Sequence, residues 1–284
     1  VNIEFKQLCF EYRSLIAEPR AVLNDISFSM GAGELVAVVG ASGSGKTTLI
    51  QHINGLLRPS SGHLWIGDAD LADPSTELQW IRNHVGLVFQ FPEIQLFEET
   101  VQEDVAFGPK NLNWPKSKID QQVSIALDLV GLDRTHFGPL HPFELSGGEK
   151  RRVAIAGVLA MDPRILILDE PTAGLDWTGV QKIESIIQNY HENGRTVIFV
   201  SHDMDLVARL AERILVLNNG QLIFDGSRFA LFQQESLLKK AGLELPYIVR
   251  AINTLKKKGI EIRSDVFSFA EARVEIERYY QDNQ

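Results

Sequence analysis

The run GASGSGKT, residues 40 to 47, concentrates more chemistry than any other stretch of this chain. It follows the apolar segment ELVAVV and leads into TTLIQHINGLL, whose apolar residues recur at helical spacing. Gly-x-x-x-x-Gly-Lys-Ser/Thr between a strand and a helix is a cradle for phosphate. The glycines let the backbone wrap closely around an anion, and the helix N-terminus adds positive potential. The segment comprises Gly40, Ala41, Ser42, Gly43, Ser44, Gly45, Lys46, Thr47 and Thr48, with the N–H groups of residues 43 to 48 aimed at a β-phosphate. Lys46 would reach the β- and γ-phosphates, and Thr47 offers a hydroxyl to Mg²⁺. A purely structural glycine loop is the competing reading, disfavoured by the strand and helix on either side.

Three further positions share one place in the pattern, the end of an apolar strand. Asp169 and Glu170 close RILILDE, where Asp169 would hold the hydration shell of Mg²⁺ and Glu170 would polarise an attacking water as general base. Gln90 closes HVGLVFQ and could reach a metal-bound water or the γ-phosphate. His202 closes TVIFVSH and could contact the γ-phosphate and orient the water. Open α/β sheets bind ligands at the carboxyl ends of their strands, which would bring these groups to one edge. Each has a plain alternative: an acidic pair capping the turn at Pro171, a surface glutamine, a lone histidine after a strand.

A second phosphate-like seat lies in ELSGGEKRR, residues 144 to 152. Ser146 would cap a helix starting near Glu149, which is an adequate account of the serine. It is not an account of Gly147 and Gly148, which cost backbone entropy that a cap does not require.

These groups need elements to position them. IEFKQLCFEY and AVLNDISFSM read as strands separated by a loop with Pro19, and SGHLWIGD as a short strand. Residues 76 to 83 read as a short helix, and the strands at 34–40, 84–90, 164–170 and TVIFVSH, apolar through their centres, alternate with helical segments. Strands apolar on both faces imply a mainly parallel sheet covered by helices. Residues 91 to 145 are helical and amphipathic, KRRVAIAGVLAM and VQKIESIIQNYHENG are helices, DLVARLAERI is a helix, and LVLNNGQLIFDG is a hairpin. From about Ser227 the tail is helical and outside the core alternation. The reading is an α/β phosphate-binding domain over 1–226, with a helical subdomain at about 91–145, followed by a small C-terminal helical domain over 227–284.

Composition narrows the partners. The 284 residues carry 28 Lys plus Arg against 37 Asp plus Glu, a net charge of −9, so a nucleic-acid partner is not expected. Cys9 is the single cysteine, which excludes an internal disulfide and fits a reducing, cytosolic setting. The opening VNIEFKQLCF alternates like a strand rather than a leader, and no apolar run reaches the 18 residues or so of a membrane span. Any membrane association is expected to run through a partner.

Taken together, GASGSGKT, Gln90, LSGGE, ILILDE, AGLD and SH resemble the ABC-type ATPases over residues 1 to about 226. The resemblance implies a P-loop NTPase fold with a helical signature subdomain, and ATP and Mg²⁺ as ligands. It makes 40–47 the Walker A loop, 165–169 the Walker B strand, Glu170 the catalytic glutamate, 145–149 the signature, Asp176 the D-loop aspartate and His202 the switch histidine. Tyr12 would stack on adenine, with Phe10 as its rival. Two ATPases would pair head to tail, each lending Ser146, Gly147 and Gly148 to the other's γ-phosphate, with Asp176 bridging the interface.

FQFPEIQLFEETVQEDVAFGPKNL and RRVAIAGVLAMDPRILILDEPTAGLD are similar to the ATPases of energy-coupling factor transporters, and FPE-x-QLFEETV with FGPKN to the second of the paired ATPases in vitamin systems. This implies ATP hydrolysis powering import of vitamins or similar micronutrients, in some systems cobalt or nickel. It also implies a peripheral position on the cytoplasmic side of the cell membrane. The expected partners are a second related ATPase in a heterodimer, a transmembrane coupling protein and a small substrate-binding membrane protein. The alternatives are an ATPase of another importer class, a subunit that binds ATP but turns it over poorly, or a non-transport ABC ATPase. The chain departs from the family pattern at Glu149, where Gln is commoner, and at Trp177, where Pro is usual. Glu149 is expected to point to solvent or toward Lys150 or Arg151. The stretch 91–109 holds five acidic residues and no basic one, and Glu98, Glu99 and Glu103 are expected to dock on arginines of the membrane protein.

Overall fold

The computed structural model describes residues 1–12 and 20–282, so the loop expected at Pro19 lies outside the described residues. The strands are β1 Ile3–Tyr12, β2 Arg20–Met30, β3 Leu35–Val39, β4 Ser61–Ile66, β5 Ala69–Asp70, β6 Val85–Val88, β7 Ile165–Asp169, β8 Thr196–Val200, β9 Arg213–Asn218 and β10 Gln221–Ser227. The helices are α1 Lys46–Ile53, α2 Leu78–His84, α3 Val101–Asn111, α4 Lys116–Leu129, α5 Arg134–Phe137, α6 Gly147–Leu159, α7 Trp177–Glu192, α8 Met204–Leu210, α9 Arg228–Phe232, α10 Glu235–Lys240, α11 Tyr247–Lys257 and α12 Phe269–Asp282.

Two sheets divide the strands. The central one has the order β10-β9-β3-β8-β7-β6, parallel except for β10, which returns antiparallel beside β9. The second is antiparallel, β2-β1-β4-β5. The parallel sheet expected from the double-sided apolar strands is therefore present. The N-terminal strands are not part of it. Buried and wetter positions alternate unevenly along β1 and β2, as expected of strands with one solvated face. The buried strands β3, β7 and β8 show no such alternation.

Period-two geometry splits the core strands between two clusters. Val36, Val38, Ile165, Ile167, Ile198 and Val200 face Phe5, Leu8, Ile26, Leu49 and Ile53 of the antiparallel sheet and α1. Leu35, Ala37, Val39, Leu166, Leu168, Val197 and Phe199 face the helices, including Val153 and Ile155 of α6 and Ile183 and Ile187 of α7. Leu231, Phe232, Leu238, Ile248, Val249 and Ile252 of the tail belong to this same cluster.

Several expected boundaries shift by local chemistry. The helix expected over 47–57 ends at Ile53, because Asn54 caps it and Gly55 turns left-handed at φ +71. The strand expected to reach Gln90 ends at Val88, and the helix expected from Glu149 begins at Gly147, directly after its Ser146 cap. The helix expected through DLVARLAERI stops at Leu210, since Arg213 and Ile214 pair in β9 beside β3. Among the described residues, no helix is long and apolar enough to cross a membrane.

Candidate nucleotide site

The cradle sits where β3 gives way to α1. Gly40, Gly43 and Gly45 have φ of +148, +76 and +106, a region that side chains rarely adopt. A β-carbon on Gly40 would sit 2.1 Å from the Leu217 carbonyl oxygen, so that position has no room for any other residue. Lys46 folds back within the loop, donating to the carbonyls of Gly40 at 2.8 Å and Ala41 at 3.0 Å. Burial pushes its ammonium pKa down, with Glu170 and Asp169 opposing that shift. The Ser44 hydroxyl is buried and has no protein partner, an orphan donor at the base of a loop suited to an anion.

The acidic groups meet the cradle from the neighbouring strands. Asp169 ends β7 and accepts from the Thr47 hydroxyl at 3.0 Å. Burial raises the Asp169 pKa, the Thr47 hydroxyl opposes the shift and Glu170 adds to it. Glu170 follows the strand with φ +48, a left-handed conformation that a glutamate adopts at a cost of order 1–3 kcal/mol. Its carboxylate pairs with His202 Nδ1 at 2.8 Å and lies within 3.4 Å of the His202 backbone N–H. A cleft of about 450 Å³ collects these groups with Tyr12, Thr48 and Gln90, a size suited to a small ligand.

Tyr12 is 44% exposed at the mouth of this cleft, its hydroxyl 3.3 Å from Thr48 Oγ1. Phe10 is 9% exposed, makes edge-type ring contacts with Tyr12 and His52, and does not line the cleft. Of the two rivals, Tyr12 alone lines the space. Arg20 and Val22 of β2 and Val200 of β8 line it as well, and sequence reading missed them. A lone arginine at the start of an alternating strand carries no motif, so only the approach of β2 to the cradle reveals it.

Ser146, Gly147, Gly148 and Asp176 do not join this cleft. Ser146, Gly148 and Asp176 line a separate cleft of about 380 Å³ with Arg152 and Lys182. Asp176 caps α7, accepting from the Gly179 N–H at 2.8 Å, and Trp177 opens that helix. Neither Gly147 nor Gly148 has a positive φ, and a β-carbon on either would meet nothing within 4 Å. Glu149 departs from expectation: it turns back on Ser146, accepting from its N–H at 2.8 Å and its hydroxyl at 2.7 Å. That capping box satisfies two donors at the helix start. The hydrogen bonds from Ser146 hold the Glu149 pKa below its ordinary value, aided by Arg152 and Lys182.

The acidic stretch 91–109 also divides. Asp104 is 8% exposed and accepts from the N–H groups of Phe97 and Glu98, and burial raises its pKa. Glu103 accepts from the Thr100 hydroxyl at 2.7 Å. Glu98 and Glu99 carry the remaining surface charge beside Ile94 and Phe97, which are 80% and 64% exposed.

Residues 23–173 match the family model described as ABC transporter. The energy-coupling factor transporter ATP-binding protein EcfA2 of Clostridium tetani is 45% identical over 277 residues, covering 97% of this chain and 96% of that protein. The solved structure of cbiO1 from Clostridium perfringens, described as part of the ABC transporter complex cbiONQ, superposes with a TM-score of 0.74 at 36% identity, covering 88% of this chain and 98% of that one. A dimeric ATP-binding cassette bound to ADP and Pi superposes with a TM-score of 0.70 at 30% identity, covering 79% of this chain and 98% of that one. With its phosphate loop, strand-end carboxylates and histidine gathered in one cleft, this chain is an ABC-type ATPase and belongs to the ATP-binding proteins of energy-coupling factor transporters.

Proposed function

We propose that this ATPase binds ATP in the Tyr12–Lys46 cleft and hydrolyses it with Glu170 as general base. The observation carrying this reading is the Glu170–His202 contact at 2.8 Å, in the same cleft as Lys46 and the Thr47–Asp169 pair. The glycine backbone holds the phosphates together with the Lys46 ammonium, which exchanges its bonds to the Gly40 and Ala41 carbonyls for phosphate oxygens, and Tyr12 offers its ring to the base. Glu170, oriented by His202, takes the proton of the attacking water. Gln90, Thr47 and Asp169 fit Mg²⁺: they bring side-chain oxygens to one cleft, with the Thr47 hydroxyl 3.0 Å from the Asp169 carboxylate, and this ion favours one or two protein oxygens plus phosphate oxygens. When bound, the ion neutralises charge on the β- and γ-phosphates.

The second seat, Ser146, Gly147 and Gly148, serves the γ-phosphate of a partner ATPase, with Asp176 at the shared interface. Its separation from the chain's own cleft supports this, as does the open space around both glycines. We take the partner to be a second related ATPase. The apolar groove of about 380 Å³ between Leu96, Phe97, Phe107 and Val153 supports docking of a transmembrane coupling protein, and Glu98 and Glu99, which follow Phe97 in the chain, offer charge to cationic side chains. A small substrate-binding membrane protein completes the complex, and a vitamin or similar micronutrient, cobalt and nickel included, is the cargo. The chain then sits peripherally on the cytoplasmic face of the cell membrane. Affinity purification from detergent-solubilised membranes tests this: a second ATPase and a multi-span protein are expected to co-elute. Recovery of the chain alone, free of the membrane fraction, refutes the transport assembly.

A further inference from the structure

The arginine Arg151, one turn into α6, is 2% exposed, an extreme burial for a guanidinium. Its neighbour Arg152 points the other way, donating to the carbonyls of Val130 and Gly131 at the end of α4. Taking a charge out of water is costly unless partners replace the lost hydration. Arg151 has three kinds of partner, drawn from two segments. Its Nε donates to Glu93 Oε2 at 3.2 Å. Its Nη1 donates to the carbonyls of Pro171 and Ala173. Its guanidinium lies 5.7 Å from the centre of the Phe91 ring.

These partners adjoin the reacting groups. Pro171 follows Glu170 directly, and the Ala173 N–H donates back to the Glu170 carbonyl at 3.2 Å. Phe91 follows Gln90, which lines the nucleotide cleft, and itself has φ +55. Glu93 lies in a single 3₁₀ turn, Pro92–Gln95, that continues to the exposed Ile94 and Phe97. A rigid fork thus spans two loops whose own backbones are strained, and lysine, a point charge, could not make the same set of bonds.

We propose that Arg151 is a positioning residue that clamps the Gln90–Glu93 segment to the Pro171–Ala173 loop, so that Gln90 and Glu170 hold a common register in the cleft. The clamp rests on the proposed role of Glu170. It acts on turnover rather than on nucleotide affinity, because Lys46 and the glycine cradle do not touch it. It also links the exposed edge at Ile94 and Phe97, through Glu93, the buried Arg151 and Pro171, to the Glu170 carboxylate.

The test uses the full chain in its purified complex, with Arg151→Met, Arg151→Lys, Glu93→Gln and the Arg151→Met/Glu93→Gln double variant. Turnover, the Kd for a fluorescent ATP analogue and thermal melting are measured for each, with wild type and Glu170→Gln as references. Arg151→Met and Glu93→Gln are expected to lower kcat by about tenfold to a hundredfold, the upper figure being what a misplacement of about 1 Å costs. Analogue Kd stays within about twofold of wild type, and the double variant is no slower than Arg151→Met, since both remove one clamp. If Arg151→Met does not fold, Glu93→Gln and Arg151→Lys carry the test. Folded variants with wild-type kcat, losses that multiply in the double variant, or a Kd change matching the kcat change each overturn the clamp. Undiminished turnover in Glu170→Gln instead overturns the general-base reading, which the reference arm reads separately.

Discussion

At Glu170 a single side chain answers to three constraints: a strained backbone, a histidine partner and a place beside the phosphate cradle. Replacing it with Gln keeps its shape and its capacity to bond His202 while removing the base. Glu170→Gln is expected to retain ATP binding and lose about 10²- to 10⁴-fold in kcat, the usual yield of general base catalysis. Equilibrium binding alongside single-turnover hydrolysis checks both halves. Glu149 is the other informative carboxylate. Its folded pKa lies below its ordinary value, so its stabilising bonds to Ser146 are present above the ordinary carboxylate range and lost as pH falls through the folded value. The urea midpoint of wild type should therefore exceed that of Glu149→Gln near neutrality by more than it does below about pH 4. A gap independent of pH would mean that the charge contributes nothing to the cap.

At the scale of elements, the start of α6 shows how a helix can be sound locally and still carry unneeded glycines. Ser146 and Glu149 complete the cap without help from Gly147 and Gly148, which sit in open space at ordinary helical φ. Gly148→Ala should accordingly raise the stability of the isolated chain, by about 0.4–1 kcal/mol, through reduced freedom of the unfolded state. The same substitution should lower ATP turnover of the assembled pair, because in the proposed pairing a methyl group would stand where the partner's phosphate approaches. Thermal melts of the chain and ATPase assays of the complex separate the two effects, and a variant that is both less stable and fully active contradicts the reading. That the glycines are surplus to a cap was legible in the letters SGG. The fate of Glu149 was not, since which way a flexible carboxylate turns depends on the donors within its reach. Likewise the burial of Asp104 and the engagement of Glu103 were invisible in a run of acids that reads as uniform surface.

For the whole molecule, the tail is the element whose status matters most. Leu231, Phe232, Leu238, Ile248, Val249 and Ile252 share a cluster with Leu166, Leu168 and Phe199 of the central sheet. Each such buried side chain contributes roughly 1.5–3 kcal/mol, so together they rival the entire net stability of an ordinary domain. A division of the chain at 226/227 is therefore testable by truncation. A chain ending at residue 226 is expected to lose most of its cooperative melting transition and to aggregate, read by calorimetry and light scattering. An unchanged melting temperature would instead mark 227–284 as an independent appendage.

The phosphate loop, the acidic strand end, the signature and the alternation of apolar strands with helices were all determined by the sequence itself, because each is a local pattern whose chemistry needs residues close in the chain. Tertiary structure decided the rest. It set the N-terminal strands apart in their own antiparallel sheet, placed Tyr12 on the cleft while burying Phe10, and brought Arg20 to the cleft. It also placed Arg151 among carbonyls and a carboxylate from segments up to 58 residues away along the chain. Those outcomes depend on which faces meet across the core. That is settled by packing between distant segments, which no window of neighbouring residues contains.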